Sequence, residues 1–338
     1  MGFGWVMSKN TLEHRQEAAC RLAIVVPCYN EEDVLPLSLP ALLTKMADMM
    51  SAGQCTKDSY ILLIDDGSQD ATWRLIEKSV SESGGSIQGI RLARNVGHQA
   101  ALMAGLDHVT GRCDAAISID ADLQDDIEAM SRMIDAYRHG AELVLGVRES
   151  REVDTWFKRN SAVGFYKILR WMGVDLVENH ADFRLMSAQA LRNLGQFSEY
   201  NLFLRGLVPM LHQRIETVTY DRSERTAGET KYPMRKMLSL AWNGMTSFSV
   251  QPLRFISAMG FLVFLATLVM LAYALIGLFS GQVIPGWASV VIPLYLLGGL
   301  LMISLGMVGE YIAKLFLEVK QRPRYLIDTV IGDPTRNE

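Results

Sequence analysis

The sequence predicts an α/β domain built on a mostly parallel, doubly wound sheet, followed by an interfacial helix and two transmembrane helices. Three observations predict it. Apolar, β-branched runs alternate with helical periodicity from Leu22 to Val147, short acidic or polar clusters follow those runs, and two long uncharged stretches lie near the C-terminal end.

The elements follow in order. Leu22 to Cys28 reads as a buried strand that Pro27 ends and Tyr29-Asn30-Glu31-Glu32 follows. Apolar residues at three-to-four spacing predict a helix from Val34 to Met50. Tyr60 to Ile64 is a second strand that delivers Asp65-Asp66-Gly67-Ser68, and Asp70 is the expected N-cap of a helix through Val80. Ile87 to Leu92 is a third strand, followed by Arg94-Asn95-Val96-Gly97 and a helix from His98 to His108. Ala115 to Ile119 is the fourth, followed by a helix through Tyr137 and a strand at Leu143 to Val147. Beyond Arg148 the alternation breaks: a helix over Trp156 to Met172, a short extended piece at Asp182 to Met186, and a strand at Ile215 to Tyr220 are expected. Pro233 to Val250 is amphipathic and predicts a helix lying in a membrane interface.

Composition narrows the class. Hydrophobic residues make up 49% of the 338, and the excess is concentrated where Phe255 to Phe279 and Ala288 to Gly309 run without a charge. At about 1.5 Å per residue both runs match a hydrocarbon core of about 30 Å. Lys231, Arg235, Lys236 and Arg254 precede the pair, Lys314, Lys320, Arg322 and Arg324 follow it, and the turn at Ser280 to Trp287 has no basic residue. The positive-inside bias therefore puts both flanks in the cytoplasm. A net charge of −4 gives no overall attraction to nucleic acid. Cys20, Cys28, Cys55 and Cys113 lack metal-finger spacing and read as reduced thiols. The expected organisation is a mobile leader over 1–20, the α/β domain over 21–232, a juxtamembrane helix over 233–252, a two-helix transmembrane hairpin over 253–312 and a cytoplasmic tail over 313–338.

Asp120-Ala121-Asp122-Leu123-Gln124 organises the chemistry. In extended backbone, side chains i and i+2 share a face, so Asp120 and Asp122 leave the fourth strand together. Such a pair suits Mg²⁺ or Mn²⁺ held incompletely, with positions left for substrate phosphates. By itself the pattern equally describes a solvated acidic turn. Three polar clusters at strand ends, where open α/β sheets bind ligands, favour the metal. No Gly-x-Gly-x-x-Gly follows the first strand and no Gly-Lys-Ser/Thr occurs, so dinucleotide and P-loop readings lose support.

Pro27-Cys28-Tyr29-Asn30-Glu31-Glu32, Asp65-Asp66-Gly67-Ser68, Arg94-Asn95-Val96-Gly97, Asp120 to Asp125 and Asp182 to Met186, in that order, resemble the polyprenyl-phosphate glycosyltransferases of the second glycosyltransferase family. Asn201-Leu202-Phe203, Glu224 to Lys231, Thr246 to Ser249 and Gly309 to Ile312 extend the resemblance to the bactoprenol glucosyltransferases of O-antigen modification, over Leu22 to Ile327. Departures are Asp126-Ile127 after the acidic motif, Ala181 where Gly is usual, and Tyr200 where Arg is common. Gln251-Pro252-Leu253-Arg254-Phe255 mimics a processive-synthase signature but sits at the membrane entry.

The resemblance implies a GT-A, Rossmann-like fold and inverting transfer of a hexose, glucose from UDP-glucose, to undecaprenyl phosphate at the cytoplasmic face of the bacterial inner membrane. Pro27, Tyr29, Glu31, Asp65, Asp66, Asp120 and Ala121 would hold the donor nucleotide, and Asp122, Gln124 and Asp120 would hold Mg²⁺ or Mn²⁺. Asp182, Asp122 and Arg148 would serve catalysis, and Arg184, Arg225 and Lys231 would contact phosphate or acceptor. A homo-oligomer, a tetramer by the resemblance, is implied as well. Mannose, an N-acetylhexosamine or amino-arabinose as the sugar, a processive glycan synthase, and a non-catalytic nucleotide-sugar scaffold are the alternatives.

Overall fold

The structure, a computed structural model, describes residues 18–148, 180–199, 204–208, 211, 214–221, 251–279 and 286–333. Its first unit contains strands β1 (Leu22–Cys28), β2 (Tyr60–Asp65), β3 (Ile87–Leu92), β4 (Ala115–Ser118), β5 (Leu143–Arg148), β6 (His180–Ser187), β7 (Ile215–Tyr220) and β8 (Ile327–Ile331). Helices α1 (Leu35–Ser51), α2 (Thr72–Glu82), α3 (His98–Val109), α4 (Ala129–Arg138), α5 (Ala188–Leu194) and α6 (Leu204–Leu207) accompany them. The second unit contains α7 (Gln251–Phe279) and α8 (Trp287–Val319).

The strands form one sheet in the order β7-β5-β6-β4-β1-β2-β3-β8. β1 and β2 are buried along their whole length, which is why they read as unbroken apolar runs rather than as alternation. Successive residues serve opposite faces: Leu22, Ile24 and Val26 join Leu42, Ile76 and Met133, contributed by α1, α2 and α4, while Ala23 and Val25 join Leu102, Leu106 and Leu191 from α3 and α5. Gly105 lets α3 lie close to the sheet, since a Cβ there would meet Val25 Cγ1 at 2.6 Å and Ile64 Cδ1 at 2.7 Å. From β1 the chain runs outward through β2 and β3, then returns to place β4 on β1's other side. The crevice beyond the carboxyl ends of β1 and β4 is therefore the place a ligand is expected.

The sheet is mostly parallel, with β1–β2, β1–β4, β2–β3 and β5–β7 parallel. Uniform alternation fails at two strands, because β6 enters antiparallel between β4 and β5, and β8 lies antiparallel on β3. Hydrophobic pattern identifies a strand but not its direction. The C-terminal segment is accordingly more than a tail: Ala93 N–H donates to the Leu326 carbonyl at 2.9 Å, and Tyr325 Oη donates to Asp107 Oδ2 at 2.7 Å. At the other end, Cys20 is buried and its backbone pairs with that of Cys55 in an isolated parallel β-bridge, so ordered packing begins inside the expected leader. All four cysteines are free thiols.

Helix α8 continues ten residues past the expected end at Gly309 and takes in Lys314. Among the described residues, one segment, Leu296–Val319, is long and apolar enough to cross a membrane, and the apolar Leu253–Val269 is shorter. The expected helices over Trp156 to Met172 and Pro233 to Val250 lie outside the described residues.

Candidate active site

Three loops meet at the carboxyl ends of β1, β2 and β3. After β1, Asn30 takes a left-handed backbone (φ 54°) and its N–H donates to Ser68 Oγ at 3.0 Å, while its own Oδ1 accepts from Gln69 N–H at 2.9 Å. Glu31 N–H donates to Thr72 Oγ1 at 2.8 Å, and Ala71 N–H donates to Glu32 Oε2 at 2.9 Å. These bonds fasten the loop after β1 to the loop after β2. They leave Tyr29 as an exposed aromatic at 43% and Pro27 buried behind it.

Asp65 and Asp66 are expected among the nucleoside contacts, yet their exposures are 0% and 2%. Asp65 Oδ1 accepts from Ser68 N–H at 3.2 Å, and its Oδ2 lies 3.8 Å from Arg91 Nε. Asp66 accepts from Val96 N–H at 2.8 Å and Gly97 N–H at 2.9 Å, one on each oxygen. Burial pushes both carboxyls up from their ordinary range, and these bonds oppose it. In this structure the pair braces the loops. Gly67 completes the brace at φ 66°, where a Cβ would meet the Arg94 carbonyl carbon and Asn95 N at 2.7 Å. Gly67→Ala is expected to destabilise the domain by about 2 kcal/mol, combining left-handed strain with a backbone clash. A thermal melt checks this, and an unchanged melting temperature would contradict it.

The acidic motif departs from its expected geometry. β4 ends at Ser118, and Asp120 to Leu123 form a turn in which Leu123 N–H donates to the Asp120 carbonyl at 3.3 Å and Leu123 has φ 45°. The two aspartates therefore come together through a turn, with Ala121 buried between them, rather than along one strand face. Asp122 Oδ1 accepts Gln124 N–H at 3.3 Å, and Gln124 is itself buried.

Antiparallel register brings the next group in. Ser118 pairs with Arg184, so the entry of β6 runs back beside the exit of β4. Ser118 Oγ donates to the Asp182 carbonyl at 2.6 Å, fixing Asp182 there. His98, the first residue of α3, places Nε2 3.5 Å from Asp120 Oδ1 and 3.8 Å from Asp182 Oδ2. Sequence reasoning placed His98 only as the start of a helix. Its signal would have been the Gly97-His98 step at a strand-to-helix turn, which means nothing until β6 is known to lie opposite. The Asp120 carboxyl is pushed up to about 6, first by removal from water, with Asp182, Asp125 and Asp122 adding repulsion and His98 opposing it.

Arg148, expected in catalysis, and Arg184, expected on phosphate or acceptor, are both paired with carboxylates. Arg148 Nε and Nη2 donate to Asp125 Oδ1 at 3.0 and 2.8 Å, and Tyr220 Oη donates to the same oxygen at 2.6 Å. Arg184 is wholly buried, its guanidinium on the Asp182 carboxylate. Arg184 is held by a carboxylate because a charge at that depth requires a partner, whereas Arg148 is only partly covered. Arg225 and Lys231 lie outside the described residues.

Among the described residues, no three His, Cys, Asp or Glu side chains form a ready-made metal cage. Asp120, Asp122 and the Gln124 amide are nonetheless oxygen donors close together on one short turn, a set that would suit a hard cation at an open site.

A sheet centred on parallel strands, with acidic groups converging at the ends of β4 and β6, is that of a GT-A glycosyltransferase domain. The chain belongs to glycosyl transferase family 2, whose family model matches residues 23–195. It is 48% identical over 307 residues to the uncharacterized glycosyltransferase YkoT of Bacillus subtilis, covering 91% of each chain. It is 37% identical to the bactoprenol glucosyl transferase of Shigella phage SfX, over 91% of this chain and 98% of that one. With the prophage bactoprenol glucosyl transferase homolog of Escherichia coli K12 the identity is 36%, over 92% and 99%. A more distant likeness, at 16% identity and a TM-score of 0.46 over 90% of this chain and 88% of the other, is to the mannosyltransferase PcManGT of Pyrobaculum calidifontis in complex with GDP-Man and Mn²⁺.

Proposed function

We propose that this glycosyltransferase moves one hexose, glucose from UDP-glucose, onto the phosphate of a polyprenyl lipid, undecaprenyl phosphate, with inversion at the anomeric carbon. The observation that carries the reading is the convergence of Asp120 and Asp182 on His98 through the β4–β6 register, with Asp122 on the same turn as Asp120. The names of the phage and prophage relatives support the acceptor and the sugar.

The residues divide the task. Tyr29, exposed beside the fastened loops, packs on the nucleoside base, with Pro27 and Glu31 shaping that end. Asp122, Asp120 and Gln124 would hold a divalent cation. When bound, that cation supplies Lewis-acid neutralisation of charge on the departing nucleotide. Arg225 and Lys231 are assigned to phosphate by resemblance. An acceptor phosphate oxygen forms the new bond to the anomeric carbon as the bond to the nucleoside diphosphate breaks, with the electron pair leaving on the diphosphate. No proton need be removed, because a phosphate monoester with a second pKa of about 6 is already ionised at neutral pH. Asp182 then orients acceptor or sugar.

The membrane assignment rests on the helices. α8 carries Leu296–Val319, long and apolar enough to span, and α7, whose apolar stretch Leu253–Val269 is shorter, is assigned as its partner because the whole helix has 29 residues against the roughly 20 needed. Phe261, Leu262 and Val269 on α7, and Leu301, Met302 and Ile303 on α8, are exposed at 59–70%. So much exposed apolar surface calls for a lipid surround. With basic flanks on both sides, the pair is assigned as a hairpin with the catalytic domain cytoplasmic.

The test is a panel of nucleotide-sugars offered with undecaprenyl phosphate and Mg²⁺ or Mn²⁺ to the full-length protein in detergent, with lipid products read by mass spectrometry. One donor, UDP-glucose, is expected to give a lipid-linked hexose. Chelation is expected to abolish the product and added Mg²⁺ or Mn²⁺ to restore it. Full turnover in excess chelator would overturn the cation assignment, and product only from another donor would overturn glucose.

A further inference from the structure

Arg184 heads the fully buried side chains by volume, at 0% exposure. It lies on β6 one residue from Phe183 and Leu185, which face one core, and on the same side as Met186, which faces the other beside Leu204 and Val208. An aliphatic side chain would suit that position, and a buried ion pair is a weak source of stability compared with one. The guanidinium therefore calls for another explanation. Its Nη2 donates to Asp182 Oδ1, its Nε to the Asp182 carbonyl at 3.4 Å, and its Nη1 to the Leu204 carbonyl at 3.5 Å. With Ser118 Oγ on the same Asp182 carbonyl at 2.6 Å, Asp182 is pinned along its backbone and at one carboxylate oxygen. Its other oxygen, Oδ2, is the one 3.8 Å from His98 Nε2, on the side of Asp120.

We infer that Arg184 is a positioning residue for sugar transfer. It acts only through Asp182, fixing Oδ1 so that Oδ2 faces the reacting groups, and it ties that carboxylate to the backbone at Leu204. It does not grip substrate phosphate. The inference rests on the assignment of Asp182 to the acceptor or sugar. A carboxylate committed to a buried guanidinium also cannot take a proton without leaving that cation uncompensated, which agrees with an orienting Asp182.

The test compares Arg184→Met, Arg184→Lys, Asp182→Asn and the double variant Asp182→Asn/Arg184→Met, full-length in detergent, with kcat expressed per nucleotide-binding protein. Arg184→Met is expected to lose about a hundredfold in kcat, the scale of a misplaced reacting group, with donor KM unchanged. Arg184→Lys, which keeps the charge but not the fork, should fall between it and the wild type. The double variant should be no slower than Asp182→Asn alone, because one residue acts through the other. If Arg184→Met does not fold, the charge-neutral double variant and Arg184→Lys carry the comparison. Losses that multiply in the double variant, a raised donor KM, or wild-type kcat in Arg184→Met or Arg184→Lys would overturn the inference. A wild-type protein that makes no lipid-linked sugar would instead defeat the proposed function.

Discussion

Asp122→Ala is expected to remove hexose transfer almost completely, lowering kcat by about a thousandfold. A cation neutralising the departing diphosphate contributes several kcal/mol to the transition state, and about 4 kcal/mol corresponds to that factor. Asp122 is only half-buried and sits in a turn, so the fold should survive, with a stability change of about 1 kcal/mol or less. The measurement is single-donor turnover at saturating UDP-glucose with Mg²⁺ or Mn²⁺ titrated, alongside a thermal melt. Activity within tenfold of wild type at ordinary cation concentrations would remove Asp122 from the cation site.

Asp182→Asn is expected to lower kcat by about a hundredfold while leaving nucleotide affinity intact, because the amide keeps the shape but not the charge directed at the reacting centre. This variant should also be less stable. Replacing the carboxylate leaves the Arg184 guanidinium buried without its counter-charge, and breaking such a pair costs about 3–5 kcal/mol. Turnover and calorimetric melting on the same preparation separate the effects. Near-normal turnover would exclude Asp182 from the reaction, and an unchanged melt would mean that Arg184 finds another partner.

Much of the sheet was legible because buried parallel strands announce themselves as apolar runs. Leu22 to Cys28 and Ile87 to Leu92 fall where expected on that ground, and the more exposed edge strand Ile215 to Tyr220 also falls where expected. The acidic strand ends were legible for a related reason, since Asp and Asn directly after such runs mark the binding edge of an α/β sheet. Strand direction was not. The antiparallel entry of β6 is a tertiary fact, and it brings Asp182 to Asp120 and gives His98 its neighbours. β8 escaped notice because Ile327 to Ile331 is a short edge strand, partly exposed and preceded by basic residues. Arg184 was expected on phosphate or acceptor and Arg148 in catalysis because an arginine's partners cannot be read from its place in the sequence. In the fold, one is enclosed with Asp182 and the other lies against Asp125 and Tyr220. The acidic motif was found by composition, but its shape was misjudged, since the strand ends at Ser118 and the aspartates meet through a turn.

The most direct test of the central claim is the structure of the lipid product made by the wild-type protein from UDP-glucose and undecaprenyl phosphate with Mg²⁺ or Mn²⁺. Mass spectrometry should find one hexose per lipid phosphate, and NMR should find the β anomer, inverted from the α-linked donor. A ladder of several hexoses, an α-linked product, or UDP-glucose binding without any lipid-linked sugar would contradict the account.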